Sequence, residues 1–150
     1  MVKTEASVMI DRPVEAVWKF ITDLSNAPNW DKGLTECKQT SDGPLGLGST
    51  FVAIHPRLTY SERVSEYEPN RKLSLEMTSG PARGTVGTFR MESIEGKTEL
   101  TESDDYRFSG FYKLVGPFLI RTAKRETASR VGNVKRILES EGTPKAALHS

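Results

Sequence analysis

Hydrophobic positions follow two patterns along this chain, one with the spacing of a helix near each end and one with the alternation of strands between them. Near the N-terminus, apolar side chains recur on a single helix face, which predicts a helix over residues 14–23. These apolar positions are Val14, Val17, Trp18 and Ile21. Pro13 suits the first turn of this helix because its missing N–H would have no partner there, and Asp11 or Arg12 is expected near the cap.

The middle of the chain consists of short alternating segments separated by turns rich in glycine and proline, a pattern typical of strands. Strands are predicted at 4–10, 34–41, 48–55, 58–67, 71–78, 84–93 and 97–108. A short helix or turn is expected near 26–30, and a long helix over about 117–139. Because short turns join most of the strands, consecutive strands are expected to pair antiparallel.

This order of elements predicts an α+β fold, in which a curved antiparallel sheet of about seven strands wraps around the long C-terminal helix. Two short helices would follow the first strand. One face of such a sheet needs cover, and the C-terminal helix, roughly 34 Å long, is the only element of sufficient length. Its inward stripe is expected to be Ile120, Ala123, Thr127, Val131, Val134 and Leu138. This stripe is thin in bulky side chains, so a cavity is expected between the helix and the sheet.

Several segments carry a resemblance to a known superfamily. They are IDRPVEAVW (10–18), Trp30, LGSTF (47–51), VSEYEPNRKL (64–73) and GKTELT (96–101). Together they resemble the START-like (SRPBCC) helix-grip superfamily, in its polyketide cyclase/dehydrase and lipid-transport branch, over about residues 4–139. The resemblance implies the helix-grip fold and a small hydrophobic ligand, and it carries no universal catalytic signature.

Composition and charge narrow the classes of function. The 150 residues suit one ligand-binding domain over 1–140 with a flexible tail at 141–150. The net charge of +1 gives no reason to expect a nucleic-acid partner or a general acidic-lipid surface. No apolar run has membrane-spanning length and no signal peptide is recognisable, so a cytoplasmic protein without stable membrane insertion is expected. A homodimer is compatible with the sequence.

Cysteine, histidine and glycine patterns give no indication of a metal or cofactor. Cys37 is the only cysteine, and it is expected to be a small strand residue rather than a reactive thiol. His55 is the only histidine inside the expected fold, so no metal site is predicted, and it is expected at the rim of the cavity. The glycine-rich segments lack the spacing of a phosphate-binding loop, and no cofactor is predicted.

Strand alternation and the helix stripe give a set of candidate ligand contacts. They are Phe51, Ala53, His55, Tyr60, Glu62, Val64, Leu75, Met77, Phe89, Met91, Leu100, Glu102, Tyr106, Ile120, Ala123, Thr127 and Val131. Trp18 and Trp30 are expected to anchor the small helices in the core rather than to form ligand platforms.

Two acidic residues share the predicted inward face of the last strand. A buried carboxylate is unfavourable unless it is paired or protonated, so Glu102 and Asp104, with Glu62, would need a partner such as Arg63, Arg90 or a cationic ligand. The alternative is a bulge that turns Glu102 and Asp104 to solvent. In the pocket interpretation Glu102, Asp104 and Tyr106 are candidate catalytic groups, although no catalytic residue is assigned.

The C-terminal region contains two further features. Arg121, Lys124, Arg125 and Arg130 are expected to form a solvated helix face rather than an anion site. The aromatic stretch 108–118 could gate a cavity mouth or touch a membrane, and packing across the sheet edge is the favoured interpretation.

Three classes of function remain open from the sequence. The leading hypothesis is non-covalent binding of a small hydrophobic molecule, such as a lipid, an isoprenoid or an aromatic polyketide-like compound. The first alternative is a polyketide cyclase or dehydratase that uses a pocket carboxylate and a tyrosine as acid and base. The second is a protein-interaction module of the co-chaperone type, which predicts a filled core without a pocket.

Overall fold

The backbone forms one seven-stranded sheet with a 22-residue helix packed against it, and the computed structural model describes residues 2–108 and 110–141. The strands are β1 (Val2–Ile10), β2 (Glu36–Gln39), β3 (Thr50–His55), β4 (Leu58–Glu68), β5 (Lys72–Met77), β6 (Val86–Ile94) and β7 (Lys97–Tyr106). The helices are α1 (Val14–Thr22), α2 (Phe111–Val115) and α3 (Ile120–Glu141), with 3-10 helices at Leu24–Asn29 and Gly116–Leu119.

The strands follow the order β1-β7-β6-β5-β4-β3-β2, and every neighbouring pair is antiparallel. Strands β2 to β7 therefore form a meander, and β1 pairs with β7 at one edge of the open sheet. The α+β arrangement predicted from the sequence, with two short helices after the first strand and a long C-terminal helix, is confirmed.

Helix α1 begins at Val14, as predicted, and ends at Thr22, one residue before the predicted end. Pro13 is the N-cap, with extended backbone angles of φ −67° and ψ 154°, and no side chain caps the helix. Asp11 and Arg12 stand directly before this cap, as expected, but both bind the end of α3. The Asp11 N–H donates to a carboxylate oxygen of Glu139, and the Arg12 guanidinium donates to the Leu138 carbonyl at 3.0 Å.

The packed core fills the end of the sheet that α1 covers. Val17, Trp18 and Ile21 of α1 are buried there against the sheet and the C-terminal half of α3. On α3, the buried residues are Thr127, Val131, Val134 and Leu138, whereas Ile120 and Ala123 at the other end of the predicted stripe are half-buried. The core is therefore dense at one end of α3 and thin at the other.

A bulge in β4 changes which residues face inward. The pairing of β4 with β5 shifts between Val64 and Glu66, so Ser65 is an extra residue. Before the shift, Tyr60 and Glu62 face the cavity. After it, Tyr67 faces α1 and meets Trp18 edge to face, at 5.4 Å between ring centroids. Trp18 is thus the core anchor that the sequence predicted.

The segment between β7 and α3 differs from its prediction. It forms α2 and a 3-10 helix, and for this reason α3 begins at Ile120 rather than near 117. The favoured interpretation, packing across the sheet edge, is wrong for Leu114 and Phe118, because both side chains are exposed. Phe108 does pack, with its ring against Gly116.

The flexible tail predicted at 141–150 lies outside the described residues except for Glu141, which ends α3. Among the residues described, no helix is both long and apolar enough to cross a bilayer.

Candidate functional site

A cavity of about 610 Å³ lies between the sheet, the first 3-10 helix and the N-terminal half of α3. It occupies the end of the sheet that α1 does not cover. Several predicted contacts line it: Ala53, His55, Tyr60, Glu62, Leu75, Met77, Phe89, Glu102 and Tyr106, together with the catalytic candidate Asp104. Contact of these residues with a ligand stays a prediction.

The other predicted contacts do not border the cavity. Phe51, Val64, Met91, Leu100 and Val131 are buried in the packed core. Thr127 is buried in a hydrogen-bond network, and Ile120 and Ala123 are half-buried on the first turns of α3. Alternation identifies the inward face correctly, but it does not show where along that face packing ends and empty volume begins.

Sequence reasoning missed the wall contributed by the first 3-10 helix, the turn after it and β2. These lining residues are Leu24, Ala27, Trp30, Asp31, Gly33, Leu34 and Cys37. Trp30 is a core anchor, as expected, but it also lines the cavity and meets Phe89 edge to face at 5.7 Å. Cys37 pairs across the sheet with Ala53, a predicted lining residue, and this pairing is what places Cys37 at the cavity.

Arg130 of α3 provides the positive charge that the two inward acids of β7 require. Its guanidinium donates to both carboxylate oxygens of Glu102, at 2.6–3.0 Å, and to Asp104 at 3.0 Å. The expectation of a solvated face is therefore wrong for Arg130, whose side chain is 15% exposed. The proposed partners Arg63 and Arg90 are also wrong, because Arg63 pairs with Glu76 across the outer face and Arg90 is exposed.

The bulge that would turn Glu102 and Asp104 to solvent is absent from β7. Its pairing with β1 and with β6 is continuous, and both carboxyls are buried. Asp104 also accepts hydrogen bonds from Thr127 at 2.9 Å and from Thr4 at 3.3 Å. One guanidinium and two threonine hydroxyls thus satisfy a pair of acids inside the fold.

The charges of this cluster are tightly coupled. Burial and the neighbouring Asp104 raise the pKa of Glu102 well above its ordinary range, against the opposing effect of Arg130. Burial opposes the charge of Arg130, but its bonds to Glu102 outweigh that effect and raise its pKa.

Glu62 is an acid of the cavity wall, and no ion pair to it is present among the described contacts. Its nearest hydrogen-bonding neighbour is the Cys37 thiol, 3.9 Å from Oε1. Burial, reinforced by the negative charge of Asp31, raises the pKa of Glu62 from its ordinary 4.5 to about 7. Burial also raises the pKa of Cys37 to about 12, so this thiol is not a nucleophile at neutral pH, as the sequence suggested.

His55 and Tyr60 form a short hydrogen-bonded chain at the rim of the cavity. His55 Nδ1 lies 2.8 Å from the Gly33 carbonyl, which can only accept, so Nδ1 carries a proton. In a neutral imidazole Nε2 is then an acceptor, and the Tyr60 hydroxyl, 3.2 Å away, donates to it. Burial and the nearby Glu62 raise the pKa of Tyr60, so Tyr60 stays a neutral hydroxyl within the cavity wall.

A methyl group at position 87 is expected to disturb the acid pair. A Cβ on Gly87 would lie 2.9 Å from Oδ1 of Asp104, and Asp104 cannot move freely because Thr127 and Arg130 hold it. We expect Gly87→Ala to lower the free energy of unfolding by about 1–3 kcal/mol, as in other overpacked sites. Urea unfolding followed by tryptophan fluorescence measures this change.

Gly132→Ala is the matched control for that experiment. Gly132 lies within α3, and a Cβ there meets nothing within 4 Å. Alanine is therefore expected to raise the free energy of unfolding by about 0.5–1 kcal/mol through helix propensity. Equal stabilisation by both substitutions would show that Asp104 is not held in place.

The described residues include no group of three or more histidine, cysteine, aspartate or glutamate side chains placed to hold a metal ion.

The sequence matches a known protein family over most of its length. The family model described as polyketide cyclase/dehydrase and lipid transport matches residues 1–139. No curated protein has a significantly similar sequence.

Solved structures share the fold at low sequence identity. The Zhui aromatase/cyclase from Streptomyces sp. R1128 superposes with a TM-score of 0.76 and 13% identity over 95% of this chain and 96% of its own. TTHA0849 from Thermus thermophilus gives 0.73 and 13% identity over 94% and 99% of the two chains. The di-domain ARO/CYC BexL, from the BE-7585A biosynthetic pathway, gives 0.75 and 16% identity over 96% of this chain and 48% of its own.

Proposed function

Because the chain belongs to the polyketide cyclase/dehydrase and lipid transport family, we propose that it binds one small, largely apolar molecule between its sheet and α3. The family supports a role in ligand binding or cyclisation. The observation that carries the proposal is the cavity of about 610 Å³, which falls within the usual range for small-molecule sites. Trp30, Leu75, Met77 and Phe89 give this cavity a broad apolar wall.

The charges of the wall favour a neutral or cationic ligand over an anionic one. The lining residues include the acids Asp31, Glu62, Glu102, Asp104 and Glu126 against the bases Arg57 and Arg130. Arg130 is already bound to Glu102 and Asp104, so it is not free to pair with a ligand carboxylate. An alcohol, a carbonyl compound or an amine fits these charges, which favours an isoprenoid alcohol or an aromatic polyketide-like molecule over a fatty acid.

Thermal unfolding in the presence of three matched ligands tests this proposal. Dodecanol, dodecylamine and dodecanoate share one chain length and differ in charge, and an aromatic polyphenol extends the panel. We expect the neutral and cationic compounds to raise Tm and dodecanoate to leave it unchanged. Native mass spectrometry of protein purified from its own host would identify a retained ligand by mass.

A pair of tryptophan substitutions controls for binding elsewhere. Met77→Trp adds bulk inside the cavity and is expected to abolish the increase in Tm, whereas Met9→Trp lies on an exposed position of β1 and is expected to preserve it. Stabilisation that survives Met77→Trp, or a complete absence of stabilisation together with a clean apo mass, would contradict binding in this cavity.

Glu62 favours a second candidate, a cyclase or dehydratase. A carboxyl with a pKa of about 7 can take and return a proton at neutral pH, and the Tyr60 hydroxyl of the same strand also faces the cavity. Glu102 and Asp104 are held by Arg130, which makes Glu62 the better candidate for this role. With a polyketone substrate, Glu62→Gln would abolish turnover and leave binding within about threefold; unchanged turnover would remove Glu62 from the mechanism.

The interaction-module hypothesis predicts a filled core. The cavity weighs against it, and no described feature favours it over ligand binding.

A further inference from the structure

The segment from residue 107 to residue 125 concentrates positive charge. It contains Arg107, Lys113, Arg121, Lys124 and Arg125 and no acidic residue, whereas the whole chain carries only +1. The rest of the protein is therefore net acidic. All five of these basic residues are exposed, so their charges face solvent.

The same segment exposes large apolar side chains. Leu114 is 74% exposed, Phe118 84% and Leu119 47%, and all three lie within six residues of one another. Scattered exposed hydrophobic residues are normal on a protein surface, but a group of them amid exposed basic residues is the pattern of an interfacial membrane-binding segment.

This segment is seated on the fold rather than detached from it. The Phe108 ring packs so closely on Gly116 that a Cβ there would lie 2.5 Å from it. Phe108 also stacks on Tyr106, with ring centroids 6.0 Å apart, and Tyr106 lines the cavity. The exposed side chains thus project from a segment that is fixed beside the cavity wall.

The position of the segment relative to α3 brings it to the cavity's side. Glu126 and Arg130 of α3 line the cavity, and Leu119 immediately precedes Ile120, the first residue of that helix. A surface that contacts Leu119 would therefore lie about two turns from the cavity lining along α3.

We propose that residues 107–125 dock this protein reversibly on an anionic lipid bilayer, with Leu114, Phe118 and Leu119 entering the boundary between headgroups and acyl chains. The positive charge of the segment complements an anionic leaflet, and the exposed apolar side chains add hydrophobic contact with the lipid. Peripheral attachment to a membrane draws on both contributions. This docking goes beyond the proposed ligand binding and does not depend on it.

Vesicle co-sedimentation of the full chain tests the proposal. Vesicles of phosphatidylcholine alone are compared with vesicles that contain phosphatidylserine at about one third of the lipid. We expect binding to the anionic vesicles, weak binding to the neutral ones, and a marked decrease at high salt as the charges are screened.

Two pairs of variants locate the docking surface. Leu114→Ser with Phe118→Ser is expected to reduce binding at least tenfold, while Leu47→Ser, at a position 73% exposed in the loop before β3, leaves it unchanged.

The second pair of variants tests the charges. Arg121→Glu with Lys124→Glu is expected to reduce binding at least tenfold. Lys19→Glu with Arg136→Glu, at exposed helical positions elsewhere, is expected to reduce it by less than about threefold.

Three outcomes would overturn the proposal. The protein could bind neither type of vesicle, or the variant Leu114→Ser with Phe118→Ser could bind as well as wild type. Wild type could also be a dimer that this variant converts to a monomer, which would make the surface an interface between two copies. Because dodecanol binding is measured without vesicles, a failure of docking leaves the proposed ligand site intact, and the reverse also holds.

Discussion

Replacing Arg130 with methionine is expected to lower the free energy of unfolding by about 3–5 kcal/mol, because it leaves Glu102 and Asp104 buried without a cation. Urea unfolding followed by the fluorescence of Trp18 and Trp30 measures the change. The loss is expected to be smaller at pH 5 than at pH 8. The pKa of Glu102 is already raised by burial, so acid readily neutralises the unpaired charge.

Two further variants distinguish the loss of the ion pairs from the effect of shortening a long side chain. Arg125→Met changes an exposed residue of the same helix and is expected to alter stability by less than about 0.5 kcal/mol. The triple variant Glu102→Met, Asp104→Leu, Arg130→Met removes every charge of the cluster and is expected to recover most of the lost stability. In the absence of Asp104, the hydroxyls of Thr4 and Thr127, whose oxygens lie 2.8 Å apart, can hydrogen-bond to each other. A triple variant as unstable as Arg130→Met would contradict this explanation.

Replacing Glu62 with glutamine is expected to stabilise the protein at pH 8 by up to about 3 kcal/mol and to leave its stability at pH 4 nearly unchanged. The pKa of Glu62 is about 7 in the folded protein against an ordinary 4.5. Its contribution to stability is therefore fully present below pH 4.5 and is lost as the pH rises through 7. Glutamine stays neutral, so the difference between the two unfolding curves from pH 4 to pH 8 isolates this loss.

Glu66→Gln is the matched control on the same strand. Lys72, 2.6 Å away across the outer face, lowers the pKa of Glu66, so the stability it contributes is lost as the pH falls rather than as it rises. Both pairs are therefore expected to converge in acid, but at pH 8 Glu66→Gln is expected to be less stable than wild type, whereas Glu62→Gln is expected to be more stable. Parallel pH profiles for wild type and Glu62→Gln would show that Glu62 does not titrate between pH 4 and pH 8.

Local pattern was sufficient to predict the elements and the inward face of most strands. Alternation placed Leu100, Glu102 and Asp104 on one face of β7, and the unbroken register keeps them there. It also placed Tyr60 and Glu62 toward the interior, because the bulge of β4 comes only after them. These predictions depend on neighbours a few residues apart, which is the range over which periodicity carries information.

The missed parts of the site depend on how distant segments dock. Arg130 stands three residues after Thr127 and four before Val134, both of which were assigned to the inward stripe, so its spacing did place it on that face. Its grouping with three exposed basic residues concealed this, since charge type alone does not distinguish a buried pair from a solvated one. The 3-10 helix at Leu24–Asn29 is too short to show a period, and its contribution to the cavity had no signal except Trp30.

The extra residue in β4 divides one strand between two tasks. In an uninterrupted strand, Tyr60 and Glu62 would share a face with Glu66 and Glu68, and Tyr67 would point away from Trp18. Ser65 instead allows one end of β4 to furnish the cavity wall and the other to brace α1. Substitutions at Tyr60 and Glu62 therefore reshape the cavity wall, while the contact of Tyr67 with Trp18 lies beyond the extra residue.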